Sequence, residues 1–190
     1  MSGRVTLLTS APTAATASAA FSADEPLDAR GRAWAAAGRG RVPRVDRVRH
    51  APERAARQTC EILGLTGDVD RSLRGWDVGR WAGRRLDDLA ADRPDDVSAW
   101  LTDPTATPHG GEALTVLLAR VRQWLAALPA GHTLVVCDPA FVRGAVVSVL
   151  DAPPSAFWRV DVAPMTLTDL RGGPDRWTVR TTALPLRGGD

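Results

Sequence analysis

The chain has 190 residues, with 24 basic and 22 acidic side chains for a net charge of +2, and 44% of it is apolar. That length suits one domain, 1–190, with a single core. Nearly balanced charge leaves no broad cationic field for a nucleic-acid backbone, and no apolar run approaches the roughly 20 residues that span a bilayer. Neither nucleic acid nor membrane is an expected partner. Every basic residue is Arg, and Lys, Tyr and Asn are absent, a bias that discounts single arginines as functional signals. Cys60 and Cys137 lie in apolar periodic segments and read as buried thiols, without metal spacing or a disulfide framework. Met1 to Arg4 lead into a strand with no signal-peptide core, so a cytoplasmic, reducing location is expected.

In chain order, Arg4 to Thr9 reads as a buried strand ending in small polar residues, Thr9-Ser10-Ala11-Pro12-Thr13, at a sheet edge. Thr13 to Phe21 carries no clear period. Leu27 to Ala37 reads as a helix capped by Asp28 and ended by Gly38, and Val42 to His50 as extended chain. A helix from Pro52 to Leu63 stops at Gly64. Leu73 to Gly83, with two Trp and three Gly, reads as a packed loop or short strand. Arg84–Ala91 and Asp95–Leu101 are short predicted helices. Gly110-Gly111-Glu112 opens the longest helix, to Leu128, with Leu114, Leu117, Leu118, Val121, Trp124, Leu125 and Leu128 on one face.

Thr133 to Cys137 is a continuous apolar strand, buried on both faces. Pro139 starts a helix through Val149. Phe157–Val162 and Met165–Leu170 read as strands, Arg171–Asp175 as a turn, and Trp177–Thr181 as a last strand. The alternation argues a three-layer α/β/α domain around a mostly parallel sheet.

With those elements in order, the chain resembles the histidine phosphatase superfamily, the phosphoglycerate-mutase-like fold. Leu7-Leu8-Thr9-Ser10-Ala11-Pro12-Thr13 lies where that family has Leu-Val-Arg-His-Gly-Glu-Thr. Ala51 to Thr59 resembles its Ser-Pro-Leu-x-Arg-Ala-x-Gln-Thr, and Leu73 to Gly83 its Leu-Arg-Glu-x-x-x-Gly-x-Trp-x-Gly. Gly110-Gly111-Glu112 matches Gly-Gly-Glu, Arg120 falls where the next helix often carries Arg, and Val135 to Arg143 resembles Val-Val-Ser-His-Gly-x-x-Ile-Arg. The resemblance implies the fold, and a phosphate site made of two histidines and two arginines with a glutamate as proton donor. Here those positions read Ser10, Asp138, Thr9, Ala55 and Gly75. A carboxylate about 4 Å from an anion costs on the order of 4 kcal/mol at an effective dielectric of 20, so phosphohistidine chemistry is not expected.

Asp138 is the leading candidate: it ends a buried strand before a helix N-terminus and, partly desolvated, would exchange protons near neutrality. Capping that helix is an equally weighted alternative. Ser10 and His109 are the other catalytic candidates, although Ser10 has no neighbouring base and a loop His is more often structural. Thr9, His50, Arg54, Trp76, Glu112 and Arg143 are candidate substrate contacts. Arg54 sits one residue off the family's arginine and, at about 100° per residue, points elsewhere. Trp76 suits an apolar or cationic ring. Cys137 should point away from the site, His132 lies at the far end of its strand, and the histidines lack metal-ligand spacing. No cofactor or metal is expected, and a homodimer is left open.

The expected function is acid/base chemistry on a small neutral or cationic metabolite, of isomerase, cyclase, lyase or hydrolase type. An inactive pseudophosphatase acting as a binding module is the alternative, and a residual phosphomonoesterase the least favoured reading.

Overall fold

The computed structural model describes residues 3–173 and 176–186. Strand β1 (Gly3–Thr9) buries Val5, Leu7, Leu8 and Thr9 completely and Thr6 almost as fully, as a strand covered on both faces must. β4 (Gly131–Cys137) behaves alike, with Leu134 to Cys137 out of solvent. These two strands pair in parallel, Thr9 opposite Cys137. Around them lie β2 (Arg47–His50), β3 (Asp68–Val69), β5 (Thr166–Gly173) and β6 (Arg176–Pro185). The sheet order is β3-β2-β4-β1-β5-β6; the first four run parallel, and β5 is antiparallel to both of its neighbours. The result is an α/β fold with a mixed sheet.

The helices are α1 (Ala14–Ala17), α2 (Ala29–Ala37), α3 (Arg54–Ile62), α4 (Leu86–Asp92), α5 (Pro94–Thr102), α6 (Leu114–Ala126) and α7 (Pro139–Val149). Asp28 caps α2 as expected, its carboxylate accepting the Gly31 N–H at 2.6 Å. On α6 the predicted stripe is the buried face, and each fully buried Leu there contributes about 1.5–3 kcal/mol. α2 packs on α3 and α6 on α7. No helix among the described residues is long and apolar enough to cross a membrane.

Four readings change. Phe157–Val162 is not a strand: Pro154–Arg159 forms a 3₁₀ turn that sends Phe157 and Trp158 into an aromatic cluster. The long helix starts at Leu114, because Gly110 takes φ +75° and residues 110–112 form a crossing. β5 continues through Gly173 where a turn was expected from Arg171, and the rest of that turn, 174–175, lies outside the described residues. The short strand β3 carries no sequence signal, since both of its residues are exposed.

The crossing at 110–112 is the part of the fold that shapes the site. Glu112 N–H donates to the Asp77 carbonyl at 2.7 Å and Arg80 N–H to the His109 carbonyl at 3.0 Å. Backbones approach so closely that a Cβ on Gly111 would lie 2.2 Å from Asp77 O, and one on Gly79 would lie 2.4 Å from His109 O. Only glycine fits such an approach. Gly111→Ala is therefore expected to cost at least about 2 kcal/mol, measured as a lower midpoint of urea unfolding; an unchanged midpoint would show that the crossing can open without penalty.

Candidate functional site

The β1–β4 register brings Ser10 and Asp138, each one residue past its strand, to the same sheet edge, where Ser10 N–H donates to the Cys137 carbonyl at 3.0 Å. Asp138 is the helix cap that the sequence allowed. Its Oδ1 accepts the Ala140 N–H at 2.7 Å and so caps α7, while its carboxyl also lines two adjoining cavities of about 630 and 320 Å³. Ser10 faces the smaller of them. Glu53, Arg143, Phe21 and Ser22 border both.

Glu53 was not among the sequence candidates. It occupies the N-cap position of α3, yet its side chain makes no cap bond. Instead it crosses to Gly75, where Oε1 accepts the backbone N–H at 2.8 Å, and Oε2 is buried without a hydrogen-bond partner. A Cβ placed on Gly75 would lie 3.5 Å from Asp138 Cγ and 3.6 Å from Glu53 Oε1. Both carboxyl groups thus converge on the notch left by that glycine. A signal existed in the strand order: His50 at the end of β2 pairs with Val136, so residues 51–53 must run past the edge that Asp138 occupies.

Burial raises the Asp138 pKa above the ordinary carboxylate value, and the nearby Glu53 charge adds to the rise; the Ala140 amide, Arg143 and Arg120 oppose it. Burial likewise pushes the Cys137 thiol well above its usual value, and that side chain is fully enclosed, so it offers no nucleophile. Arg143 lies over the Phe157 ring, 5.8 Å from its centroid, with Nε buried and unbonded. Arg74 reaches Glu112 at 3.6 Å from the rim of the larger cavity.

The other candidates are dispersed. Trp76 lines the larger cavity, its indole N–H held by the Glu112 carbonyl at 2.7 Å. Glu112 itself is buried in a two-point ion pair with Arg120, at 2.7 and 3.0 Å, and does not line either cavity. Thr9 is fully buried, donating to Ala163 O at 2.7 Å and accepting from Thr166 N–H at 3.0 Å. His50 donates from Nδ1 to the Ala51 carbonyl at 2.9 Å beneath the surface. His109 is enclosed against Trp76 and Trp81, its Nδ1 accepting the Gly111 N–H at 2.9 Å; burial lowers its pKa, Arg80 acts in the same direction and Asp77 opposes. Arg54 is exposed, with its backbone N–H on Asp24. None of Thr9, His50, His109 and Arg54 lines either cavity. Among the described residues, no three His, Cys, Asp or Glu side chains cluster so as to hold a metal ion.

Residues 12–184 match the model of the histidine phosphatase superfamily, branch 1. The chain belongs to that superfamily. A stretch of 72 residues is 40% identical to glucosyl-3-phosphoglycerate phosphatase of Mycobacterium tuberculosis, covering 38% of this chain and 32% of that protein. The solved structure of a mycobacterial glucosyl-3-phosphoglycerate phosphatase superposes with a TM-score of 0.83 at 23% identity, over 97% of this chain and 100% of that one. Alpha-ribazole phosphatase from Shigella flexneri gives 0.82 at 20% identity, over 98% and 99%. The likeness in shape extends over the whole superfamily fold, whereas the sequence match spans about a third of the mycobacterial relative.

Folding favours the protonated form of Asp138. The stability this group contributes is thus present below the ordinary carboxylate range and is lost as pH rises through its raised folded value. Asp138→Asn retains a cap and removes that loss. In thermal unfolding across pH, the variant is expected to gain on the wild type above neutrality and to show no gain at about pH 3; parallel curves would contradict the burial argument.

Proposed function

We propose that this superfamily member performs proton-transfer chemistry on a small neutral or cationic metabolite, without a phosphohistidine. The observation that carries the reading is that the carboxyl groups of Glu53 and Asp138 converge beside Gly75 where both cavities meet them, with no imidazole among the described lining residues. The positions at which the family resemblance places its phosphate-handling groups hold Ser10, Asp138, Thr9, Ala55 and Gly75, and the Thr9 hydroxyl is turned away into β5. In the proposed roles Asp138 is the acid. Its Oδ1 is tied to an amide, which leaves Oδ2 as the oxygen that would carry the exchanged proton. Glu53 is the base, and Ser10 borders the smaller chamber as a hydrogen-bonding contact. Positioned acid–base catalysis of this kind supplies about 10²- to 10⁴-fold in rate. The buried free thiols of Cys60 and Cys137 suit action in a reducing cytoplasm.

The names of the relatives support a second reading, phosphomonoester hydrolysis, in which Arg143, the guanidinium common to both cavities, would meet the phosphate. Two chromogenic probes separate the readings. The base-promoted ring opening of nitrobenzisoxazole reports a carboxylate base in an apolar cavity, and p-nitrophenyl phosphate reports phosphatase activity. The expected result is ring opening that falls at least about 100-fold in Glu53→Gln and Asp138→Asn, with no phosphate release. Phosphate release abolished by Asp138→Asn establishes the second reading; turnover of neither probe leaves the inert binding module.

A further inference from the structure

The larger cavity has one wall made of rings. Trp76 stacks on Trp100 with centroids 5.4 Å apart, Trp158 meets Trp100 edge-on at 4.5 Å, and Phe157 meets Trp76 edge-on at 5.4 Å. All four line the cavity. Trp76 cannot swing away, because its N–H is bonded to the Glu112 carbonyl and Glu112 is fixed by Arg120. The wall is therefore formed before any ligand arrives, which lowers the ordering cost of binding.

Opposite in character is the charged lining. With Asp138 holding its proton, the carboxylates of the lining are Asp24, Glu53 and Asp77, and its guanidinium groups are Arg74 and Arg143. Arg74 leans on Glu112, and Arg143 lies over the Phe157 ring. Negative groups are in excess, and Glu53 and Asp138 converge on Gly75, where a methyl-sized group would touch both at 3.4–3.6 Å. Aromatic faces and anionic groups both attract a flat cation, the first through the ring quadrupole and the second through charge. An anion of the same shape meets repulsion from the carboxylates.

We propose that the ligand of this cavity is a planar aromatic or heteroaromatic molecule carrying a protonated nitrogen, its ring on the Trp76–Trp158 wall and its cationic end in the Gly75 notch between Glu53 and Asp138. This assignment names the substrate class for the proton-transfer site proposed above and rests on the same pair of carboxyl groups. Such a ligand places an acidic N–H, or a C–H beside a cationic nitrogen, at the group assigned as base.

Three molecules of nearly one shape test it: benzamidine, cationic; benzamide, neutral; benzoate, anionic. Binding is followed by quenching of tryptophan fluorescence and checked by calorimetry. The expected order is benzamidine, then benzamide, then benzoate, with at least about ten-fold between the first two. Glu53→Gln should collapse that gap while leaving benzamide affinity within about two-fold. Gly75→Ala fills the notch at ordinary contact distances of 3.4–3.6 Å, so it should fold normally and weaken benzamidine about ten-fold. Trp158→Leu should weaken all three.

Benzoate binding as tightly as benzamidine, or no saturable binding of any of the three, overturns the assignment. The readout is separate from turnover. Benzamidine binding in a protein that does not open nitrobenzisoxazole removes the proton-transfer reading and leaves the ligand class standing, whereas ring opening without charge preference does the reverse.

Discussion

Parallel pairing between β1 and β4 is the constraint from which the site follows. Because Thr9 lies opposite Cys137, the next residue of each strand must emerge at the same edge, and β2, paired to β4 on its other side, delivers Ala51 to Glu53 to that edge as well. Three segments distant in sequence are thereby set side by side by backbone hydrogen bonds alone. The frame is set by the backbone and independent of the side chains at 10, 53 and 138, and it superposes closely on solved phosphatases.

Within that frame, the two carboxyl groups are held differently. Asp138 is fixed by the helix it caps, so its position is secured by a backbone amide and its proton affinity by burial. Glu53 gives up the cap of its own helix and binds an amide of the neighbouring loop instead, leaving one oxygen enclosed and unbonded. A buried acceptor without a donor is costly.

Much of the frame was legible from sequence. β1, β4 and α6 carry apolar runs or stripes long enough to have one solution, and the five ordered motifs located the edge. What escaped depends on tertiary contacts. Glu53 reads locally as an ordinary helix-start residue, and only strand order brings it to Asp138. His109 and His50 look like surface histidines, but loop crossing and a local carbonyl bond bury them. Glu112 resembles a site carboxylate until Arg120, eight residues further on and across the turn of α6, neutralises it. Phe157 and Trp158 suggested a strand because aromatic residues favour one, yet Pro153 and Pro154 bend the chain and the rings pack with Trp76 and Trp100 instead.

Thr9 shows how folding constrains the chemistry available at this edge. Its hydroxyl holds residues 163 and 166 in place with no solvent exposure, so the position works as a clasp that closes the start of β5 over the end of β1. An arginine there would need to break both bonds and find room in a filled interior, each of which is destabilising. The side chain that would serve an anion and the side chain that fastens the sheet compete for one position. With the Thr9 clasp in place, folding stability itself limits which side chains this edge can carry.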